Sequence, residues 1–285
     1  MKLNKIVVFC ISTLFFLSPA NVFARGFADP AASMEFVLVK GEEYRRGDET
    51  GLGRENERPS HSVRVTDFYM GKYEVTVEQF KRFVDDTRYL TAPEKRGWVV
   101  DIDAAMGTFS RREGISWKNP GFEQNGRHPV VWVDWHDAVS FAAWLSKKTG
   151  GIYNLPTEAQ WEYAAKAAGS HRWAGTSKEE ELSRFAWYRE NSNSVTHEVG
   201  LLEPNGLGIY DLSGNVWEWC LDGYAEYRHA PHTMHDPMVR SGDTRIIRGG
   251  SWRVDGALVT TTYRNGYKPT YSHSSIGFRL VKNLD

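Results

Sequence analysis

The side chains best suited to chemistry lie in one stretch near the C-terminal end, Asp211-Leu212-Ser213-Gly214-Asn215-Val216-Trp217-Glu218-Trp219. Two carboxylates, an amide, a glycine and two indole rings fall within these nine residues. This composition predicts a tight loop whose oxygen atoms point inward and whose rings pack into the core. Such loops bind calcium through carboxylate and backbone carbonyl oxygens together. A tryptophan-rich turn with a solvated Asp211 and Glu218 would have the same composition, and at this point both interpretations stay open.

A second group of metal-binding side chains follows this stretch. His229, His232 and His235 occur at three-residue spacing with Asp236 next, and imidazole and carboxylate groups suit zinc, iron or copper. Pro231 interrupts any helix that would place these donors on one face. We therefore interpret the segment as a solvated polar loop.

The N-terminal segment indicates the compartment. Lys2 and Lys5 precede an apolar run over residues 6–17 that is too short to span a bilayer. Residues 22–24, with the sequence VFA, fit the end of a secretory signal peptide. We predict a signal peptide over residues 1–24 and a periplasmic or secreted mature protein with no membrane segment after cleavage. A retained N-terminal anchor is the alternative.

The mature chain, residues 25–285, is predicted to form one domain. Loss of Lys2 and Lys5 moves the formal charge from −1 to −3, which favours neither nucleic acid nor an anionic membrane surface as a partner. Cys220 is the one cysteine left, so no internal disulfide can form, and we interpret it as a buried small hydrophobic residue. With eleven tryptophans and 26 glycines, the core is expected to pack large rings against irregular backbone.

The elements around these groups follow an α+β pattern with little regular secondary structure. Capping boxes predict helices after Thr76 and Thr157, the second of these ending at Gly169, and another helix ends at Gly150. We predict that residues 91–127 form a long, irregular surface loop. Predicted strands cover residues 36–44, 62–69, 128–133, 245–248, 258–264 and 277–281.

Several segments together resemble the formylglycine-generating enzyme (sulfatase-modifying factor) domain. They occur in the family's order and cover nearly all of the mature chain. They are FYMGKYEVT at 68–76, HPV at 128–130, LPTEAQWEYA at 155–164, NGLGIYD at 205–211, NVWEW at 215–219, RGGSW at 248–252 and GFR at 277–279. Each segment alone is a weak signal, but the set is highly specific.

The resemblance implies a domain related to the C-type lectin fold and stabilised by structural calcium. The implied ligands are the side chains of Asp211 and Glu218, the carbonyls of Gly214 and Val216, and, for a second site, Asn191 and Ser192. The alternative for Glu218 is a buried carboxylate paired with an arginine.

The resemblance also shows what this chain lacks. The family's enzymes oxidise a substrate cysteine with copper held by two cysteine thiolates, which are soft ligands suited to Cu(I). The corresponding positions here are Val254 and Val259, and valine cannot bind copper, so copper is not expected. The resemblance places four further residues at the pocket, without an assigned catalytic role: Ser251, Trp252, Arg264 and Asn265.

Three functions are compatible with these observations. We favour a binding or accessory role with a protein or peptide partner, as in periplasmic regulators tied to type VI secretion signalling. The alternative is a cysteine-independent oxidase that matures a peptide or siderophore, of the pyoverdine-maturation type. Sulfatase maturation itself is the third, and Val254 and Val259 argue against it.

Overall fold

Short strands and turns, rather than long helices, build this structure. The computed structural model describes residues 26–103, 108–167, 169–228 and 232–284, so the predicted signal peptide lies outside the described residues. In chain order the elements are β1 (Gly26–Asp29), β2 (Met34–Val39), β3 (Glu43–Arg46), β4 (His61–Arg64), β5 (Phe68–Gly71), α1 (Val77–Thr87), α2 (Ala92–Arg96), β6 (Trp98–Asp103), β7 (Thr108–Glu113), α3 (Trp135–Thr149), β8 (Tyr153–Asn154), α4 (Glu158–Lys166), β9 (Trp217–Gly223), β10 (Met234–His235), β11 (Arg245–Arg248), β12 (Arg264–Tyr267), β13 (Ile276–Gly277) and β14 (Val281–Asn283). The predicted α+β class is confirmed.

The strands pair across long sequence distances. One sheet has the order β1-β2-β5-β14-β8, so the C-terminal strand lies between two earlier ones. A second sheet has the order β12-β11-β9-β13, and β9 carries the end of the acidic stretch. Within it Glu218 is in register with Arg248 on one side and Gly277 on the other. The smaller sheets are β10-β4-β3 and the hairpin β6-β7.

The predicted capping boxes form as expected. The Thr76 hydroxyl accepts a hydrogen bond from Gln79 N, and Gln79 Oε1 accepts one from Thr76 N, so α1 begins where the sequence predicts. The same reciprocal pair joins Thr157 and Gln160 at the start of α4. Helix α3 ends at Thr149 and is capped by Gly150, whose φ of 78° is left-handed, as the sequence indicated.

Helix α4 ends earlier than the predicted Gly169. Its last residue is Lys166, and Ala167 adopts a left-handed φ of 51° while its N–H bonds the carbonyls of Tyr163 and Ala164. Asn205 Nδ2 also donates to the Ala164 carbonyl at 2.8 Å. A side chain from a distant loop therefore helps to end the helix.

Two predicted strands are each divided in the structure. Residues 36–44 become β2 and β3, and residues 62–69 become β4 and β5, in different sheets. The interruption between β2 and β3 contacts the one between β4 and β5, where Gly41 N donates to Asp67 Oδ1 at 2.9 Å. A Cβ on Gly41 would lie 2.1 Å from the Val65 carbonyl oxygen, so only glycine permits this crossing.

Other predicted elements also differ from the structure. Residues 129–133 are buried, but the predicted strand at 128–133 does not form, since Val130 N and Trp132 N donate to Val75 and His273 in separate segments. The stretch 91–127 contains α2 and the β6–β7 hairpin. Predicted strand 258–264 is largely a turn, with β12 starting at Arg264, while 277–281 divides between β13 and β14. Only the strand at residues 245–248 has the predicted bounds.

The core consists mainly of two apolar clusters on either side of β9. One contains Phe80, Phe141 and Phe278, and the other contains Trp161 and Cys220. Cys220 is fully buried, and burial raises the pKa of its thiol well above the ordinary range. Among the described residues, none of the helices combines the length and apolar character needed to cross a bilayer.

Candidate functional site

Glu218, the second carboxylate of the acidic stretch, is held by an arginine from the C-terminal segment. Arg279 donates from Nε to Glu218 Oε2 and from Nη2 to Glu218 Oε1, each at 2.7 Å. Trp161 Nε1 donates to Oε2 at 2.8 Å. Both side chains of the ion pair are completely buried. Strand β9 brings Glu218 to this point, and the last loop before β14 brings Arg279.

Glu74 and Asp211 complete a buried group of three carboxylates around Arg279. Glu74 accepts from Asn215 Nδ2 at 2.6 Å and from the Val216 amide at 3.1 Å. Asp211 Oδ2 accepts from the Gly200 amide at 2.8 Å, whereas Asp211 Oδ1 is buried without a hydrogen-bond partner. We call Glu74, Asp211, Glu218 and Arg279 the carboxylate cluster.

A tight turn positions this cluster. Asp211, Gly214 and Asn215 have φ values of 59°, 87° and 52°, and Asp and Asn tolerate the left-handed region better than most residues. A Cβ on Gly214 would lie 2.2 Å from the Trp187 carbonyl oxygen, so that position requires glycine. The turn that the composition indicated is therefore present, with Gly214 and Val216 immediately before β9.

The carboxylate cluster has an excess of negative charge. Burial, together with Asp211 and Glu218, raises the pKa of Glu74 well above its usual range. Burial also raises the pKa of Asp211 to about 6, despite the opposing effect of the Gly200 amide and Arg279. One guanidinium thus faces three carboxyl groups, and the protein disfavours the ionisation of all three together. A divalent cation would favour their ionised forms.

The donor set fits calcium at Asp211 better than at Glu218. Asp211 Oδ1 is a buried oxygen without a partner, as an unfilled ligand position would be. Both Glu218 oxygens already accept hydrogen bonds from Arg279, which is the arrangement of the arginine-paired alternative. In the described part of the chain, no three acidic, histidine or cysteine side chains meet in a geometry that would hold a metal ion.

Asn191 and Ser192 lie in a separate turn. Asn191 Oδ1 accepts from Tyr188 N at 2.8 Å, and its Nδ2 donates to the Ala186 carbonyl at 2.9 Å. The Ser192 hydroxyl donates to the Trp252 carbonyl at 2.8 Å and is fully buried. These contacts connect the turn to the segment that carries the pocket residues.

Val254 and Val259 lie in one apolar cluster. Val259 is completely buried with Trp173, Leu182 and Ala186, and Val254 packs against the same group. The Trp173 indole donates to the Gly256 carbonyl at 2.7 Å and fixes the loop between the two valines. We call this group the valine cluster. It offers hydrocarbon where a thiolate pair would be needed for copper.

Ser251 and Trp252 stand between the valine cluster and a polar group. The Ser251 hydroxyl accepts from Arg253 N at 3.3 Å, and the Trp252 indole donates to the Ser274 carbonyl at 3.3 Å. Both side chains are at least nine-tenths buried.

The polar group beside Trp252 centres on His273. Its Nδ1 lies 2.8 Å from Ser275 Oγ, and its Nε2 lies 3.3 Å from Arg253 Nη1 and 3.6 Å from Asp101 Oδ1. Burial, reinforced by Arg253, lowers the pKa of His273 to about 4, so the imidazole is neutral near pH 7. An imidazole with so low a pKa is a hydrogen-bonding group rather than an effective base near pH 7. We call these residues the His273 cluster, which the sequence reasoning missed because its members are remote in sequence.

Arg264 and Asn265 do not join Ser251 and Trp252 in contact. Arg264 donates to both oxygens of Glu158 at 2.7 Å, and Asn265 Oδ1 accepts from Gly266 N at 2.8 Å. Arg264 is 2% exposed, and its charge is paired with Glu158 in the protein interior.

Glu158 and Glu162, on successive turns of α4, form a second buried ionic group. Arg46 and Arg264 both bind Glu158, at 2.6 and 2.7 Å, and Arg248 binds Glu162 at 2.6 Å. Burial raises the pKa of Glu158, but the three guanidiniums outweigh it and hold the pKa at about 2. We call this the α4 network. The sequence offers one signal for this network, namely two glutamates four residues apart on a helix that also carries Trp161 and three alanines.

The histidine segment shows no convergence among its described members. His232 and His235 are exposed, and His235 lies in β10, parallel to β4. Asp236 Oδ1 accepts from Thr66 N at 2.8 Å. His229 lies outside the described residues.

Similar proteins are known from both sequence and structure comparisons. The family model described as "Sulfatase-modifying factor enzyme 1-like domain" matches residues 24–284. The formylglycine-generating enzyme of Thermomonospora curvata is 32% identical over 86% of this chain and 92% of its own. The inactive C-alpha-formylglycine-generating enzyme 2 of Bos taurus is 25% identical over 87% and 88%. The solved structure of PvdO from Pseudomonas aeruginosa superposes with a TM-score of 0.75 at 29% identity, covering 92% of this chain and 98% of that one.

Proposed function

Because this chain belongs to the sulfatase-modifying factor family, we propose that it is an exported binding or accessory protein that does not generate formylglycine. Its fold is the C-type-lectin-related fold of that family. The partner we propose is a protein or peptide, bound by the scaffold that active relatives use around their substrate.

The valine cluster is the observation that carries this proposal. Val259 is completely buried among aromatic and aliphatic side chains, and Val254 packs against the same group. A copper centre of the family's type needs two thiolates at these positions. The similarity to a bovine relative described as inactive shows that members of this family can lack the activity.

We expect the purified protein to form no aldehyde from a cysteine peptide, even with copper added. The peptide should be one that the Thermomonospora curvata enzyme converts under the same conditions, which serves as the positive control. Mass spectrometry of the peptide is the measurement. Formation of formylglycine above the enzyme-free blank would refute the proposal.

The variant V254C/V259C tests whether the missing thiolate pair explains the absence of copper binding. Valine and cysteine are similar in volume, so the cluster should stay folded while it gains two thiolates. We expect the double variant to bind Cu(I) and the unchanged protein to bind none at the same loop, measured by competition with a Cu(I) indicator. Equal Cu(I) binding by both proteins would contradict this explanation.

The second candidate, a cysteine-independent oxidase for a peptide or siderophore, is favoured by the His273 cluster. Its imidazole is neutral at pH 7 because burial and Arg253 oppose its protonation, so we propose that it orients a bound substrate by hydrogen bonding rather than acting as a base. Similarity to PvdO over almost the whole of both chains is compatible with this alternative. Copper-independent oxidation of a peptide in the same mass-spectrometric assay would favour it over the accessory role.

We also propose that calcium stabilises the protein at the carboxylate cluster. Asp211 would be the main ligand, with the carbonyls of Gly214 and Val216, while Glu218 stays bound to Arg279. The support is the unpartnered Asp211 Oδ1 and the three buried carboxyl groups that share one guanidinium. Bound calcium would supply the missing positive charge and hold the turn before β9.

Removal of calcium is expected to lower the melting temperature by roughly 5–10 °C, because a ligand at a hundred times its Kd contributes about 2.7 kcal/mol. Differential scanning calorimetry of chelated and calcium-loaded protein is the measurement. The D211N variant should lose this dependence, whereas D243N, at an exposed aspartate, should keep it. An unchanged melt after complete calcium removal would eliminate the assignment at Asp211.

A further inference from the structure

A small cavity lies beside the loop that carries Val259. It is about 170 Å³ in volume and is bounded by residues of the loop around 50–54 on one side and by Leu258 and Thr260 on the other. Pockets for complete small-molecule ligands are usually about 300–1,000 Å³. This cavity is therefore sized for one side chain or one terminal residue.

Two arginines give the cavity its chemical character. Arg54 lies over the Tyr263 ring at 4.9 Å, and Arg172 lies over the Trp173 ring at 4.6 Å. Both arginines line the cavity, and neither forms an ion pair with a carboxylate among the described residues. Stacking orients a guanidinium while its N–H groups remain available to a carboxylate.

One carboxylate, Glu57, also borders the cavity but is engaged elsewhere. Its Oε1 accepts from Arg54 N at 2.9 Å and its Oε2 accepts from the Thr262 hydroxyl at 2.7 Å. Glu57 is only 1% exposed. The lining thus keeps one net positive charge, and the two guanidiniums are its more accessible charged groups.

The rest of the wall selects a short, partly apolar ligand. Ala257, Leu258 and the Tyr263 ring supply apolar surface, and the Thr260 hydroxyl can donate a hydrogen bond. A carboxylate next to a few carbon atoms matches this combination in both charge and size. Arginine recognises carboxylates through paired, charge-assisted hydrogen bonds.

We propose that this cavity, the Arg54–Arg172 pocket, binds a carboxylate of a peptide partner. This inference rests on the proposed binding function and specifies the chemistry of that partner. The carboxylate belongs either to the partner's C-terminus or to an acidic side chain. Leu258 and Thr260 flank Val259, so the pocket lies on the loop that carries the valine cluster.

The test uses three small probes in NMR titrations of the full mature chain. Acetyl-Gly-Val presents a C-terminal carboxylate, acetyl-Glu-amide presents a side-chain carboxylate, and acetyl-Gly-Val-amide presents none. We expect at least one carboxylate probe to shift the backbone amide signals of Leu258 and Thr260, and the amide probe to leave them unchanged. The carboxylate probe that binds more tightly shows whether the partner presents its C-terminus or an acidic side chain.

Variants distinguish the pocket from nonspecific charge attraction. R54Q and R172Q should each weaken binding about tenfold, the equivalent of one charge-assisted hydrogen bond. R240Q removes the same charge from an exposed arginine outside the lining and should leave binding unchanged. Equal binding of acid and amide probes, no shift with any probe, or an equal effect of R240Q would overturn the proposal. None of those outcomes changes the result of the formylglycine assay. The pocket proposal can therefore be rejected without rejecting the proposed accessory function.

Discussion

Replacing Arg279 with methionine is expected to destabilise the protein by about 3–5 kcal/mol, the usual cost of leaving one side of a buried ion pair without its partner. Arg279 is the guanidinium that faces Glu74, Asp211 and Glu218, and its removal leaves three buried carboxylates without that positive charge. Its Nη1 and Nη2 also donate to the carbonyls of Gly71 and Tyr210, so the same change would break two backbone contacts. Urea denaturation at pH 7 measures the loss.

An exposed bidentate pair supplies the matched control. Arg184 donates to both oxygens of Glu203 at 2.9 and 2.8 Å, yet about half of each side chain is exposed. R184M should therefore leave the urea midpoint nearly unchanged, because solvent already screens that pair. Similar losses in R279M and R184M would mean that burial of the carboxylate cluster does not determine its contribution. Calcium addition should recover part of the loss in R279M if the cation site is as proposed.

The E158Q variant is expected to destabilise the protein by about 3 kcal/mol at pH 7, because a carboxylate with a depressed pKa stabilises the folded state while it is ionised. Glu158 has its pKa lowered from 4.5 to about 2, by Arg264, Arg46 and Arg248 against the opposing effect of burial. A depressed pKa stabilises the folded state above the unfolded pKa of 4.5 and loses that contribution as the pH falls toward 2. The difference between E158Q and the unchanged protein should therefore narrow over that range.

Urea denaturation at several pH values between 2 and 7 measures this dependence. The control variant is E180Q. Glu180 is exposed, so this variant should behave like the unchanged protein over the whole pH range. A difference between E158Q and the unchanged protein that stays constant from pH 7 to pH 2 would contradict the ionic origin of the effect. It would indicate instead that the packing of α4 sets the cost.

The sequence supports local predictions well, because their causes lie within a few residues. Thr76 with Gln79 and Thr157 with Gln160 can bond each other only in the first turn of a helix, so both helix starts are correct. The helix end at Gly169 was wrong because the left-handed Ala167 and the hydrogen bond from Asn205 to the Ala164 carbonyl end the helix at Lys166. The four strand predictions at 36–44, 62–69, 258–264 and 277–281 merged or misplaced segments because alternation does not reveal which sheet a strand joins.

The sequence by itself determined the family and the absence of a thiolate pair, since both depend only on which residues occupy which positions. It also indicated the turn from Asp211 to Glu218, because the glycine and the left-handed Asp and Asn positions are local requirements. Only the tertiary structure decided how the charges of that turn are used. Arg279 reaches Glu218 across 61 residues, and Arg46 reaches Glu158 across 112, through sheets that join distant strands. Because these ion pairs are buried, the loss of either partner would strongly destabilise the fold, since a charge without a partner is costly in the interior.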